Sequence, residues 1–350
     1  MTGRVSRMAA NIRLNSAILA FLLAFPAAAQ DIIAHRGASG DRPEHTLAAY
    51  ELAIDQGADW IEPDLVVTKD LVLIARHENE LSSTTDVASR EEFEDRERSK
   101  EIDGRLVSGW FAEDFTLEEL RTLRAKERLP ILRPANARYN GLYQVPTFAE
   151  IVKLVRAKEA ESGRTIGLIP ELKHSHFLLQ EAGIDMVDVV LKELREQGIE
   201  ESDRFAIQSF EVGALRRLDQ RSDYRLVQLV GTTGGPVDEP TMRYADMIAP
   251  SGLEEIAIYA DTIAADIRLV LDDDGAATPL AAHARDAGLA VHAWTLRKEN
   301  AFLPPALRSA GGEAATGNPA GLWSMLASAG VSAIFTDDPG LARAARDAGE

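Results

Sequence analysis

From residue 32 onward, short apolar runs alternate with amphipathic stretches, and the runs are nearly continuous in Ile, Val, Leu and Ala. Strands of that composition are buried on both faces, the condition of a parallel sheet covered by helices. The first repeat, residues 32–77, reads IIAHRGASGDRPEHTLAAYELAIDQGADWIEPDLVVTKDLVLIARH. It predicts a strand ending in His35 and Arg36, a Gly-rich turn, a helix, a second strand carrying Glu62 and Asp64, and a third run ending at His77. Glu62 and Asp64 sit two apart, so on a strand they share one face. Two carboxylates so placed repel each other and require a cation, a shared proton or basic neighbours.

Further strands are expected at TIGLIPELK, DRFAIQSF, YRLVQLVG, ADMIAPSG, AVHAWTLR and VSAIFTDDP. Helices are expected at 46–56, 147–160, 184–197, 212–219, 253–260, 276–287, 322–329 and 341–348. About eight strand units result, the number that closes a (β/α)8 TIM barrel. The alternative is an open doubly wound sheet. The first strand is followed by HRGASG and not by GxGxxG, so a dinucleotide site lacks its main signal. Residues 79–144 break the alternation. They are rich in charge (REEFEDRERSKEID) and poor in apolar runs, and read as an insertion of short elements after the second strand unit, without a core of their own. Its charge run is expected to be a solvated face.

The chain has 350 residues, of which 45% are apolar, enough for one large domain at 30–350. A formal net charge of −18 argues against a nucleic-acid partner, so any anionic substrate must be met by local positive charge. Arg4, Arg7 and Arg13 precede the apolar run SAILAFLLAF and then Pro26 and three alanines, the three-part form of a signal peptide over 1–29. The run is shorter than the roughly 20 residues that span a bilayer, so no stable membrane insertion is expected after cleavage. The expected location is periplasmic or secreted. Cysteine is absent, which excludes disulfides and a lipidated cysteine anchor.

In a barrel of this kind the C-terminal strand ends converge on one mouth. Collected there are His35, Arg36, Glu62, Asp64, His77, Glu171 and Lys173, with Gln208 and Trp294 from later strands. A group of oxygen donors without cysteine suits a hard cation such as Ca²⁺ or Mg²⁺, held by Glu62, Asp64 and Glu171. Arg36 offers a fork to phosphate oxygens and Lys173 a point charge. His35 and His77 are the natural general acid and base. Taken singly, each has a plainer explanation, such as a capping histidine or an acidic pair bridged by a basic residue. His45 reads as a loop terminator, His174 and His176 as rim, substrate or solvent-facing residues, and His283 as helix surface. Trp294 shares a strand face with His292, as core packing or as a substrate platform.

Taken in order, HRGASGDRPEHT, IEPDLVVTKD, RHE, PELK, QSF and FTDDP resemble the glycerophosphodiester phosphodiesterases, and PEHT and TTDV resemble their secreted, periplasmic branch. The likeness runs from His35 to Pro339. It implies a (β/α)8 barrel with an insertion after the second strand and hydrolysis of a small-molecule glycerophosphodiester to sn-glycerol 3-phosphate and an alcohol. It also implies His35 and His77 as the acid/base pair, Arg36 and Lys173 on the phosphate, and Glu44 as a loop carboxylate near the site. Glu62, Asp64 and Glu171 become ligands of one divalent cation, most often Ca²⁺ in the periplasmic branch and Mg²⁺ in others. One departure is Glu78, which follows His77 where family members commonly carry Asp. Two rival functions are a barrel phosphodiesterase acting on intact phospholipid and a protein that binds such diesters without turnover.

Overall fold

The computed structural model describes residues 30–201 and 204–349, and the expected signal peptide at 1–29 lies outside them. Thirteen strands are present among the described residues. The first four are β1 Asp31–His35, β2 Trp60–Glu62, β3 Asp64–Val67 and β4 Leu73–Ala75. A hairpin follows, β5 Arg98–Ile102 and β6 Arg105–Gly109. Then come β7 Gly167–Leu168, β8 Glu171–Leu172, β9 Ala206–Ser209 and β10 Arg225–Val230. The last are β11 Thr262–Asp266, β12 Ala290–Leu296 and β13 Ala333–Thr336.

Eleven of these form one curled sheet, parallel except where β4 folds back on β3. β2 and β3 are a single run interrupted at Pro63, which has no N–H to donate. β7 and β8 are likewise interrupted at Pro170. The ladder continues past both prolines, since the Glu171 amide donates to the Pro63 carbonyl and the Gln208 amide to that of Pro170, each at 2.9 Å. Pairing therefore runs from β1 through β2–β3, β7–β8, β9, β10, β11, β12 and β13, and β13 pairs again with β1. This is a TIM-barrel-like α/β arrangement.

Local sequence sets the helices that cover it. Thr147 caps helix Phe148–Ser162 through a reciprocal box with Glu150, and Gly163 ends it in the left-handed region at φ 68. Asp185 caps Met186–Glu196, and Asn318 with Pro319 starts Pro319–Ser328. The main apolar cluster lies between sheet and helices, while Ile33, Trp60, Ile169, Val227, Leu229 and Phe335 pack in a second cluster that Phe210 and Trp294 adjoin. Each such side chain, once buried, contributes roughly 1.5–3 kcal/mol before entropy is counted.

Two expectations are corrected. ADMIAPSG is helical, split between Tyr244–Met247 and Pro250–Ile256, and the strand falls later at β11. Pro250 occupies the first turn after an extended Ala249, where its missing N–H costs nothing, so apolar content there belongs to a helix face. The β11 segment TIAAD carries two alanines and an aspartate among its five residues and gave little strand signal. Residues 79–144, moreover, do bury a cluster: Leu81, Val87, Phe93, Trp110, Phe115 and Leu120 pack on Val66 and Ile74 of the β3–β4 hairpin. Their spacing is irregular because short 3-10 turns and a hairpin, not one long element, present them.

Candidate active site

Strand register brings the site together. His35 on β1 lies level with Glu62 on β2, Asp64 on β3 lies level with Glu171 on β8, and Glu171 lies level with Gln208 on β9. Ligand atoms of Glu62, Asp64 and Glu171 all fall within 4.8 Å of one another, and all three residues are buried. Lys173 follows β8 and places its Nζ 3.0 Å from Glu171 Oε1.

The turn after β1 is sharply bent. Arg36 and Gly37 both take left-handed backbone angles, φ 63 and 83. A Cβ on Gly37 would lie 2.6 Å from the Ala49 backbone carbon, so only glycine lets this loop sit on helix Leu47–Asp55. The bend points the Arg36 amide at Glu62, donating to its Oε2 at 2.9 Å, while Arg36 Nε lies 3.1 Å from Asp64 Oδ2. Arg36 Nη1 donates to both Glu44 oxygens at 3.3 Å, and Arg128 Nε meets Glu44 Oε2 at 2.8 Å. Glu44 thus acts on Arg36, and these two cations hold its carboxyl well below the usual range despite burial.

His45, at φ 55, is more than a loop terminator. Its Nε2 donates to Asp64 Oδ2 at 2.9 Å, and the Tyr50 hydroxyl lies 2.7 Å from Nδ1. A carboxylate only accepts, so Nε2 carries the hydrogen and Nδ1 accepts from Tyr50. Gln208 Nε2 donates to Glu62 Oε1 at 3.1 Å. It lies against the acidic trio. Trp294 packs edge-on against Phe210 at 5.7 Å, donates to the Ala264 carbonyl at 3.1 Å, and lines a cavity of about 530 Å³ with Arg297 and Phe302. Its packing contact is with Phe210, and the residue also borders that cavity.

Each of the two histidines is backed by a carboxylate. His35 Nδ1 donates to Asp337 Oδ1 at 2.6 Å, which puts the hydrogen on Nδ1 and the lone pair on Nε2. Asp337 Oδ2 in turn meets Arg133 at 2.6 Å and Arg297 at 2.8 Å, and Arg133 also pairs with Glu299. His77 Nδ1 lies 2.8 Å from Glu78 Oε1, and 27% of the His77 side chain remains solvent-accessible. Asp337, Arg133, Arg297, His45 and Glu78 were not foreseen as site residues. The FTDDP motif contains Asp337, but only register shows that it faces His35.

Electrostatics follow from burial and these neighbours. Burial, with the Arg36 charge, lowers the His35 imidazole to about 4 against the upward pull of Asp337. Burial together with Arg36 and Lys173 lowers His77 to about 3. Both are neutral at pH 7. Burial raises the Glu171 carboxyl to about 8, and burial with the Asp64 charge raises Glu62. Asp64 is the anion of the group, because Arg36 and His45 outweigh its burial and hold it low. Three carboxylates this close, two of them driven toward protonation, form an oxygen-only donor set that can hold a hard metal ion.

This is an α/β fold whose buried acidic trio could hold a metal ion, with Arg36 and Lys173 beside it. Over residues 35–341 the chain matches the Glycerophosphoryl diester phosphodiesterase family. It is 34% identical over 287 residues to glycerophosphodiester phosphodiesterase GDPD6 of Arabidopsis thaliana, covering 77% of this chain and 75% of that protein. It is 32% identical over 311 residues to a glycerophosphodiester phosphodiesterase of Treponema pallidum, covering 81% and 85% respectively. Among solved structures, a putative glycerophosphoryl diester phosphodiesterase from Silicibacter pomeroyi superposes with a TM-score of 0.64 at 23% identity, over 93% of this chain and 95% of that one. An Oleispira antarctica phosphodiesterase in complex with the product sn-glycerol-3-phosphate does so with 0.60 at 20% identity, over 91% and 97%. At these identities the structural likeness is one of fold. The chain belongs to the glycerophosphoryl diester phosphodiesterase family and is an enzyme of that class.

Proposed function

We propose that this enzyme hydrolyses glycerophosphodiesters to sn-glycerol 3-phosphate and the free alcohol, using His35 and His77 as its acid/base pair and one divalent cation at Glu62, Asp64 and Glu171. The observation that carries this reading is the convergence of those carboxylates within 4.8 Å, with the Arg36 and Lys173 cations against them. Family membership supports the diester substrate, and the relative bound to sn-glycerol-3-phosphate supports the product. The sheet is read as a closed (β/α)8 barrel, with 79–144 inserted after its second strand unit.

The cation, Ca²⁺ or alternatively Mg²⁺, supplies charge stabilisation to the phosphoryl oxygens when bound. Arg36 and Lys173 orient the anionic diester and offset its charge. One imidazole takes a proton from the attacking hydroxyl as the new P–O bond forms. The other gives a proton to the alcohol oxygen as the old P–O bond breaks. Asp337 and Glu78, each on an Nδ1, present the Nε2 atoms for this exchange. An anionic diester offsets Arg36 and Lys173, the cations that lower His35 and His77, and so moves one imidazole toward protonation.

Export belongs to the same proposal: 1–29 is removed and the enzyme acts outside the cytoplasm. No helix among the described residues is long and apolar enough to cross a membrane. A coupled assay for glycerol 3-phosphate on glycerophosphocholine, run with chelator and then with Ca²⁺ or Mg²⁺ restored, tests the chemistry. Activity that survives thorough chelation removes the cation from it. N-terminal sequencing of the exported protein tests the cleavage.

A further inference from the structure

Behind His77 runs a chain of alternating carboxylates and imidazoles that the mechanism above uses only at its first link. Glu78 Oε1 lies 2.8 Å from His77 Nδ1, and the other Glu78 oxygen accepts from His174 Nε2 at 2.9 Å. His174 Nδ1 donates to Asp103 Oδ2 at 2.8 Å. Both ring nitrogens of His174 therefore face carboxylates, which only accept, so this imidazole carries both protons and is a cation between two anions. In keeping with that, its two carboxylate partners outweigh burial and raise it to about 9.

The chain joins separate parts of the fold. Glu78 lies just beyond β4, His174 just beyond β8, and Asp103 at the tip of the β5–β6 hairpin. Asp103 and Gly104, at φ 52 and 72, form the two-residue left-handed turn that closes that hairpin. His174 is also left-handed, at φ 52, a conformation that a non-glycine residue keeps only when its surroundings determine it. The hairpin is anchored by Lys100, whose Nζ meets Glu113 at 2.7 Å and Asp114 at 2.9 Å. Asp103 borders a groove of about 1020 Å³ that the hairpin shares with His176, Phe177 and Arg243.

We propose that Glu78, His174 and Asp103 are positioning residues through which the β5–β6 hairpin holds the His77 imidazole with its proton on Nδ1 and its Nε2 available for chemistry. This rests on the reading of His77 as a catalytic imidazole. A carboxylate on the far nitrogen fixes both the tautomer and the ring orientation of a catalytic histidine, and His174 keeps Glu78 anionic and still. The groups acting on His77 are Arg36, Lys173, Glu78, Asp64 and Glu44, so the relay supplies the carboxylate in contact with its ring. Arg36 and Lys173 are tied to the acidic trio instead.

Asp103→Asn tests the relay, because Asn tolerates the left-handed turn while removing the charge. It should lower kcat about 10-fold or more with KM within about twofold of wild type, since the substrate's own contacts are untouched. His174→Asn should lose a similar factor. The double variant should lose no more than either single one, and neither change should slow the His77→Ala enzyme further. Ser108→Ala, which removes only the Ser99–Ser108 hydroxyl contact of the hairpin, should keep wild-type kcat. Wild-type kcat in Asp103→Asn beside an inactive His77→Ala overturns the relay alone. So does an equal loss in Ser108→Ala, or a full further loss in the His77→Ala background. A wild-type rate in His77→Ala itself overturns the catalytic reading and the relay with it.

Discussion

His35 and His77 each combine a carboxylate on Nδ1 with the Arg36 charge close enough to lower the imidazole. Replacing either with alanine should reduce kcat by about 10²–10⁴-fold while circular dichroism stays native, since neither side chain fills a core cluster. Asp337→Asn makes a sharper demand. It leaves His35 without its anion and takes a carboxylate from Arg133, which keeps Glu299, and from the partly exposed Arg297, so kcat should fall and stability should drop by about 1–3 kcal/mol, read from denaturant midpoints. Much of this residue-level picture was legible in advance. Glu62 and Asp64, and then Glu171 and Lys173, stand two apart at predicted strand ends, and that spacing alone puts each pair on one face. Asp337, Arg133 and His45 were not legible, because a salt bridge across 204 residues depends on register and on how a loop folds over the mouth.

At the scale of elements, reliability followed the strength of the local signal. Thr147 and Glu150 form the expected start of a helix, and the apolar positions Phe148, Ile151, Val152 and Val155 are all buried. Thr147→Ala should cost about 1 kcal/mol, because the Glu150 amide loses the Thr147 hydroxyl that accepts from it, while the Glu150 carboxylate keeps the Thr147 amide. A thermal melt with unchanged KM checks it. The segment at 244–256 failed for a physical reason: four to seven residues hold too few turns for a period to show, and Pro250 reads equally as a strand stop or a helix start. The β5–β6 hairpin did carry a signal, the Asp103–Gly104 pair, but β5, RSKEI, is charged or polar up to Ile102 and offers no apolar alternation to frame it.

Across the whole molecule the chain carries a net charge of −18, and three carboxyl groups are concentrated within 4.8 Å of one another in its interior. That concentration opposes folding unless something neutralises it. Burial raises Glu171 from 4.5 to about 8, so the folded chain binds a proton there that the unfolded chain has released above pH 4.5. The sign follows from linkage. The favourable contribution is fully present below the unfolded value near 4.5 and is lost as pH rises through about 8. Glu62 is raised for the same reasons and adds in the same direction. A divalent cation at this position replaces those protons, so it competes with them at low pH and binds without that competition at high pH. Through Glu171 and Glu62 the metal-free melting temperature should therefore fall between pH 5 and 8, against the opposite pull of the lowered His35 and His77. The fall is read as the difference between wild type and Glu171→Gln, and millimolar Ca²⁺ or Mg²⁺ should restore the melting temperature more at pH 8 than at pH 5. Glu171→Gln removes both the ligand charge and the titration. It should raise the metal-free melting temperature at pH 8 and abolish most of the rise on adding the ion. An ion-induced rise of equal size at both pH values, or one retained in Glu171→Gln, would place the ion somewhere other than the mouth.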